Sequence, residues 1–224
     1  MNSIIRTENL NKYFKLGGET VHALKDISLE IAHGKLTLLK GRSGSGKTTL
    51  INILGTLDVP DEGKIVFNER LLASMHDMER ENIRRLEMGF VFQSVALISL
   101  MSAYENVEFG LRVAGYDAHK RKIRAEECLH LVGLEKRMKH RPYELSGGEQ
   151  QRVAIARAIA HKPSVVFADE PTAELDTHMG LQVVRLFKSL VEKEGLTVLM
   201  TTHDPNMMEV ADQVYVLEDG KIVV

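Results

Sequence analysis

Cysteine and long apolar runs are scarce in this sequence, and both absences narrow the possible classes of protein. Cys128 is the only cysteine among 224 residues, so an intrachain disulfide and a cysteine-rich metal site are excluded. A single thiol fits a reducing compartment. The longest apolar stretch, residues 95–101, is interrupted by Ser99 and is far shorter than the roughly 20 residues that span a bilayer. We therefore expect a chain that does not cross a membrane by itself.

An excess of charge of one sign is also lacking. The chain has 29 Lys and Arg against 31 Asp and Glu, a net charge of -2, so we expect no nucleic-acid partner. Arg6 and Glu8 interrupt the apolar pattern near the start, which argues against a signal peptide. Hydrophobic residues make up 44% of the chain and charged residues 27%, a balance that predicts a soluble domain with a sizeable core.

Short apolar runs alternate with helical patterns, and this order predicts an α/β fold. The predicted strands are residues 4–10, 21–31, 36–40, 65–67, 88–92, 165–168, 197–201 and 214–217. The predicted helices are residues 47–55, 102–114, 119–132 and 150–160. Asp219 and Gly220 favour a tight hairpin that leads into residues 222–224.

Strands on both sides of a helical block suggest a core that carries an inserted lobe. We expect a single domain over residues 1–224, with its core at about 1–95 and 163–224. The inserted helical subdomain is expected at about 96–162.

The first motif with a clear chemistry lies between the predicted strand at 36–40 and the next helix. Residues 41–48 match the pattern Gly-x-x-x-x-Gly-Lys-Ser/Thr in full. Glycines let the backbone turn successive N–H groups toward one point, and the helix that begins near Lys47 adds its positive end. Lys47 would bind the β- and γ-phosphates, and Thr48 would bind Mg²⁺. The predicted nucleotide-binding loop comprises Gly41, Arg42, Ser43, Gly44, Ser45, Gly46, Lys47, Thr48 and Thr49.

An acidic pair follows the apolar run at residues 165–168. In a parallel sheet, ligands gather at the carboxyl ends of the strands, where Asp169 and Glu170 would lie. We expect Asp169 to hold the Mg²⁺ shell and Glu170 to act as the general base that polarises the attacking water.

A second anion-binding pattern stands at residues 145–150, which read Leu-Ser-Gly-Gly-Glu-Gln. Ser146 and the two glycines open a helix, leaving N–H donors and a hydroxyl at its positive end without a lysine. A chain with two phosphate sites suggests a composite nucleotide site. These residues, with 151–158 after them, resemble the signature of ABC (ATP-binding cassette) ATPases. The resemblance implies a P-loop NTPase with a RecA-like core and mostly parallel sheet, an N-terminal antiparallel β subdomain and an inserted α-helical subdomain.

The resemblance also implies that two copies pack head to tail, with ATP and Mg²⁺ between them. The residues that would act in trans on the partner's nucleotide are Ser146, Gly148, Gln150 and Asp176. Gln93 resembles the Q-loop glutamine, which contacts Mg²⁺ together with Thr48 and Asp169. His203 resembles the switch histidine at the γ-phosphate, so Lys47, Glu170 and His203 are the predicted catalytic residues.

An aromatic residue near the start of such cassettes stacks on adenine. Counting back from Gly17, Phe14 fits that place, and Tyr13 is the alternative.

Residues 54–60, 89–93 and 105–107 look like the MacB/LolD/BceA-type branch. That branch implies a separate transmembrane permease subunit, a place on the cytoplasmic face of the membrane, and export, lipoprotein extraction or antimicrobial-peptide resistance. Residues 96–102 lack the Asn, Pro and Thr of many relatives, and Ala173 stands where they usually have glycine. The alternatives are an FtsE-like mechanotransmission ATPase without cargo, and a soluble cassette acting on DNA or the ribosome. The latter would carry a long coiled-coil insertion or a second cassette.

Overall fold

The computed structural model describes residues 3–223 and contains eleven strands and six α-helices in that range. The strands are β1 Ser3–Leu16, β2 Glu19–Ile27, β3 Glu30–Ala32, β4 Leu36–Lys40, β5 Glu62–Phe67, β6 Arg70–Leu71, β7 Met88–Val91, β8 Val165–Ala168, β9 Thr197–Thr202, β10 Gln213–Glu218 and β11 Lys221–Ile222. The helices are α1 Lys47–Leu54, α2 Asp77–Glu87, α3 Ala103–Val113, α4 Arg121–Leu131, α5 Gly147–Ile159 and α6 Thr177–Glu194. Short 3-10 helices lie at Leu72–Ser74, Pro142–Glu144 and Pro205–Val210.

A six-stranded sheet in the order β11-β10-β4-β9-β8-β7 forms the centre of the fold, and only β11 runs antiparallel to its neighbour. Side chains of β8 alternate between two cores: Val166 and Ala168 join one cluster, whereas Val165 and Phe167 join the other. Because both faces are covered, every residue of β8 and β9 is buried, as expected for central strands of a parallel sheet. The α/β fold with a mostly parallel sheet is confirmed.

The carboxyl ends of β4, β8 and β9 lie side by side in this sheet. Lys40 at the end of β4 pairs with Thr202, and Ala168 at the end of β8 pairs with Met200. The segments that follow these strands therefore meet at one edge, where ligands bind in open α/β sheets.

A second, antiparallel sheet is built around β1 in the order β2-β1-β5-β6, with β3 also pairing with β1. The prediction of one strand over residues 21–31 is wrong, because β2 ends at Ile27 and β3 pairs with a different part of β1. Thr7 of β1 contacts the chain between β2 and β3: its hydroxyl donates to Ile27 O at 3.1 Å and accepts from Leu29 N at 2.9 Å. β1 itself is longer than the predicted residues 4–10.

The inserted lobe contains α3, α4 and α5, which lie between β7 and β8. These helices and α6 share one core cluster, whereas α1 and the antiparallel sheet share the other. The predicted hairpin is formed by β10 and β11, with positive φ at Asp219 and Gly220. Residue 224, the last of the predicted hairpin strand, lies outside the described residues.

Candidate active site

The loop between β4 and α1 has the backbone that an anion cradle needs. Gly44 and Gly46 have φ of 80° and 105°, in the left-handed region that favours glycine. A Cβ at Gly46 would also lie 2.8 Å from Ala23 O, and one at Gly41 would lie 2.4 Å from Leu217 O. α1 starts after Gly46 with no side-chain cap, so the N–H groups of its first turn remain available to an anion.

Lys47 lies under this loop with its side chain buried. Its Nζ donates to Gly41 O at 2.9 Å and to Arg42 O at 3.1 Å, and lies 3.1 Å from Glu170 Oε1. The ammonium group is therefore held between the phosphate loop and the carboxylate that follows β8, which is where a phosphate would need a positive charge.

The acids after β8 are held by a threonine that the sequence reasoning did not identify. The Thr201 hydroxyl donates to Asp169 Oδ1 at 2.7 Å and accepts from Glu170 N at 2.7 Å. Glu170 has a positive φ of 43°, and His203 Nδ1 lies 3.3 Å from its Oε2. No motif singled out Thr201, because its importance depends on the pairing of β9 with β8.

A cavity of about 660 Å³ joins these parts of the molecule. It is lined by Phe14, Val21, His22, Ala23, Lys25, Ser43, Gly44, Gly46, Lys47, Thr48, Thr49, Gln93, Glu170, Asp219 and Gly220. Of the two candidate adenine platforms, Phe14 lines this cavity and is 38% exposed. Tyr13 is not among the lining residues, and its ring stacks on His22 with centroids 4.2 Å apart.

The β10–β11 turn braces the phosphate loop, another feature that the sequence reasoning missed. Gly220 N donates to Ser45 O at 3.1 Å, and Gly220 O accepts from Lys25 N at 2.7 Å. Of the predicted loop residues, Gly41, Arg42 and Ser45 are not among those that line the cavity. Ser45 Oγ is buried and has no hydrogen-bond partner among the described residues.

The predicted magnesium ligands offer one hydroxyl, one amide and one carboxylate. Thr48 and Gln93 line the cavity, and Asp169 follows β8 beside Glu170, which also lines it. Within residues 3–223, no three His, Cys, Asp or Glu side chains are grouped so that they could hold a metal ion. Oxygen donors of this kind fit Mg²⁺ bound jointly by protein and nucleotide phosphates.

The serine–glycine pattern forms the start of α5, as predicted, but away from this cavity. Ser146 is the N-cap: its Oγ accepts from Glu149 N at 3.3 Å, and its N–H donates to Glu149 Oε2 at 2.8 Å. Gln150 Nε2 donates to Leu145 O at 3.1 Å. Ser146, Gly148 and Gln150 are not among the residues that line the cavity, so the predicted second anion site is separate from the phosphate loop of the same chain.

Asp176 caps α6, where its carboxylate accepts from Met179 N at 2.9 Å. With His203 it lines a neighbouring cavity of about 350 Å³. The predicted interface aspartate and the predicted switch histidine thus lie at one surface of the chain.

A phosphate loop and an acidic strand end at the carboxyl edge of a mostly parallel sheet, with a helical insert between β7 and β8, define the fold of a nucleotide-binding cassette. A family model described as ABC transporter matches residues 24–173, which is more than half of the chain. The chain therefore belongs to the ABC transporter ATP-binding family, and it is an ATPase.

Similar proteins cover nearly all of the chain. An uncharacterized ABC transporter ATP-binding protein of Methanocaldococcus jannaschii, MJ0796, is 42% identical over 223 residues, 98% of this chain and 95% of its own. The macrolide export ATP-binding/permease protein MacB of Wolinella succinogenes is 42% identical over 219 residues, 98% of this chain but 34% of that protein. These relatives are consistent with the predicted branch.

Solved structures share the fold. A dimeric structure of MJ0796 in a post-hydrolysis state with ADP and Pi matches with a TM-score of 0.88 and 41% identity, covering 98% of this chain and 97% of that one. The cbiO1 protein of Clostridium perfringens, part of an ABC transporter complex, matches with a TM-score of 0.90 and 29% identity, covering 100% of this chain and 88% of that one. No helix among residues 3–223 is both long and apolar enough to cross a membrane.

Proposed function

We propose that two copies of this chain close head to tail around two ATP molecules, each held between the phosphate loop of one copy and the start of α5 of the other. The observation that carries the proposal is that the start of α5 does not line the cavity beside the phosphate loop of its own chain. α1, after the phosphate loop, packs in one core cluster, and α5, after Ser146, packs in the other. A second copy would supply the start of its α5 to this cavity. The dimeric MJ0796 structure with ADP and Pi supports this arrangement.

The hydrolytic step follows from the contacts of Glu170. Its carboxylate lies 3.1 Å from Lys47 Nζ and 3.3 Å from His203 Nδ1. A bound γ-phosphate competes for Lys47, which frees a carboxylate oxygen to accept a proton from the attacking water. His203 then contacts the γ-phosphate from the end of β9, and Lys47 stabilises its developing charge.

Mg²⁺ would be held by Thr48, Gln93 and Asp169, and when bound it would neutralise charge on the β- and γ-phosphates. The chain orients this donor set itself: the Thr201 hydroxyl fixes one Asp169 oxygen through a 2.7 Å hydrogen bond. A fixed carboxylate loses little freedom when the metal–nucleotide complex arrives.

ATP favours the closed dimer because Ser146 and Gly148 contact phosphate only in that state, and hydrolysis removes the contacts. A permease subunit with transmembrane helices would convert this closure into export. The MacB relative, which joins an ATP-binding part to a permease, supports such a partner. The cassette would then act on the cytoplasmic face of the membrane, where ATP is available. Dimer closure, with Asp176 at the interface, would be the motion that the permease senses.

Replacement of Glu170 by Gln tests the chemistry. We expect ATP binding to persist while kcat falls by about 100-fold or more, because the amide cannot accept the proton from water. The measurement is phosphate release at saturating ATP, with Glu174→Gln as a control that removes a nearby carboxylate without touching the cavity lining. Hydrolysis by the Glu170 variant at the parent rate would refute its assignment as the base.

A further inference from the structure

The start of α5 has to satisfy two opposing electrostatic requirements. Helix stability favours an acid in the first turn, and Glu149 provides it through the reciprocal hydrogen bonds with Ser146. In the proposed dimer, however, the same turn must approach the phosphates of the partner's ATP. A carboxylate at this position repels that anion unless a cation compensates it.

Arg137 is the cation that contacts Glu149. Its Nε donates to Glu149 Oε1 at 3.0 Å, while Glu149 Oε2 accepts from Ser146 N at 2.8 Å. Each carboxylate oxygen therefore has its own donor, one from the helix start and one from Arg137. The carboxylate is the less exposed partner, with 18% of the Glu149 side chain accessible against 48% for Arg137.

The turn before α5 keeps Arg137 in this position. Arg137 N donates to Leu134 O at 2.9 Å, and His140 N donates to Arg137 O at 2.9 Å. Arg137 Nη1 also lies 3.3 Å from His140 Nε2. The Ser146 N–H that donates to the carboxylate lowers the pKa of Glu149, burial opposes this, and Arg137 adds to the lowering. The Glu149 carboxylate therefore carries its negative charge at the start of α5, in contact with Arg137.

We propose that Arg137 is a positioning residue that neutralises Glu149, so that the Ser146 end of α5 can accept the partner's ATP. This inference rests on the proposed ATP-bound dimer. Arg137 does not touch the nucleotide or the reacting atoms in this role. It removes a repulsion that would otherwise oppose closure.

Dimerisation in a Glu170→Gln background tests the idea, with MgATP as the titrant and sedimentation velocity as the readout. Arg137→Ala should raise the ATP concentration for half-maximal dimerisation on the order of tenfold. The reason is the Coulomb repulsion between the uncompensated Glu149 carboxylate and the phosphates of the partner's ATP. The effect should shrink between low and high salt because exposed charges are screened. Arg137→Lys, which keeps the charge, should remain close to the parent.

Glu149→Gln is the decisive second change. Glutamine at this position can still accept from Ser146 N, so the cap is kept while the charge is lost. Adding it to Arg137→Ala should restore dimerisation to within about threefold of the parent, since no charge is left to compensate. Arg112→Ala, which breaks the exposed pair with Glu108 on α3, is the matched control and should have no effect.

The outcomes separate this inference from the proposed function. If the Glu170→Gln parent does not dimerise, the ATP-bound dimer and the inference both fail. If the parent dimerises and Arg137→Ala needs the same ATP concentration for half-maximal dimerisation, only the inference about Arg137 is overturned. It is also overturned if Arg137→Ala with Glu149→Gln stays as weak as Arg137→Ala, because Arg137 would then act through the fold.

Discussion

At the scale of single residues, Glu170 is the point where three separate parts of the chain meet in the candidate active site. Its backbone N–H is fixed by Thr201 and its carboxylate by Lys47 and His203. The motifs around Lys47 and Glu170 predicted the types of group that meet here. They did not predict Thr201, because its role exists only when β8 and β9 pair.

Cys128 is a cysteine whose thiol is expected to be unreactive. It is fully buried in the helical lobe, and burial raises its pKa to about 11. A thiol with so little thiolate is a poor nucleophile. Cys128 is therefore a packing residue of the core that the lobe helices share.

Gly41→Ala is expected to destabilise the fold, which tests the close packing of the phosphate loop. The added methyl would lie 2.4 Å from Leu217 O and 2.5 Å from Ser45 Oγ, so backbone must shift. We expect the free energy of unfolding to fall by about 1–3 kcal/mol, the usual cost of overpacking, as measured by urea denaturation. Gly147→Ala is the control, because the nearest atom to its new methyl is 3.5 Å away. Equal stability of the two variants would contradict the packing.

At the scale of elements, sequence patterns identified the buried strands of the central sheet but missed two helices, one exposed and one packed on the core. α2 was not predicted, because Ile83 is its only buried residue and no apolar stripe marks it. α6 was also missed, although Asp176 caps its start and Gly195 ends it with a left-handed φ of 67°. The α5 start at Ser146 was identified because its capping pattern is local in sequence.

The segment after Gln93 is held by two polar side chains of neighbouring helices, the partly buried Arg157 and the buried Asn106. Arg157 of α5 donates to Ala96 O at 2.7 Å and to Val95 O at 3.2 Å. Asn106 of α3 is fully buried: its Oδ1 accepts from Ile98 N at 2.8 Å, and its Nδ2 donates to Ile98 O at 3.2 Å. These long-range contacts could not be derived from the sequence of the segment itself.

Asn106→Ala should therefore loosen residues 98–102 selectively. The substitution leaves the Ile98 N–H and three carbonyls without their side-chain partner, and we expect a loss of about 1–3 kcal/mol. Amide hydrogen exchange at residues 98–102 should accelerate while exchange in the central sheet changes less. Asn82→Ala, at an exposed position on α2, serves as the comparison. Unchanged exchange at Ile98 would contradict a structural role for Asn106.

At the scale of the whole molecule, the central sheet separates two hydrophobic cores. The core on one face contains α1 behind the phosphate loop, and the core on the other contains α3, α4, α5 and α6. Alternating side chains of β8 and β9 link the two cores. The Ser146 end of α5 does not line the cavity beside the phosphate loop of its own chain, as the two half-sites of the proposed dimer require.

The solution mass of the Glu170→Gln variant with saturating MgATP tests these two half-sites most directly. The chain has a mass of 25.1 kDa, and we expect light scattering to give twice that value with ATP, with ADP returning the single-chain mass. Adding Ser146→Arg should abolish the increase, because a bulky side chain would block the helix start. A mass that stays at 25.1 kDa at saturating ATP would contradict a composite nucleotide site.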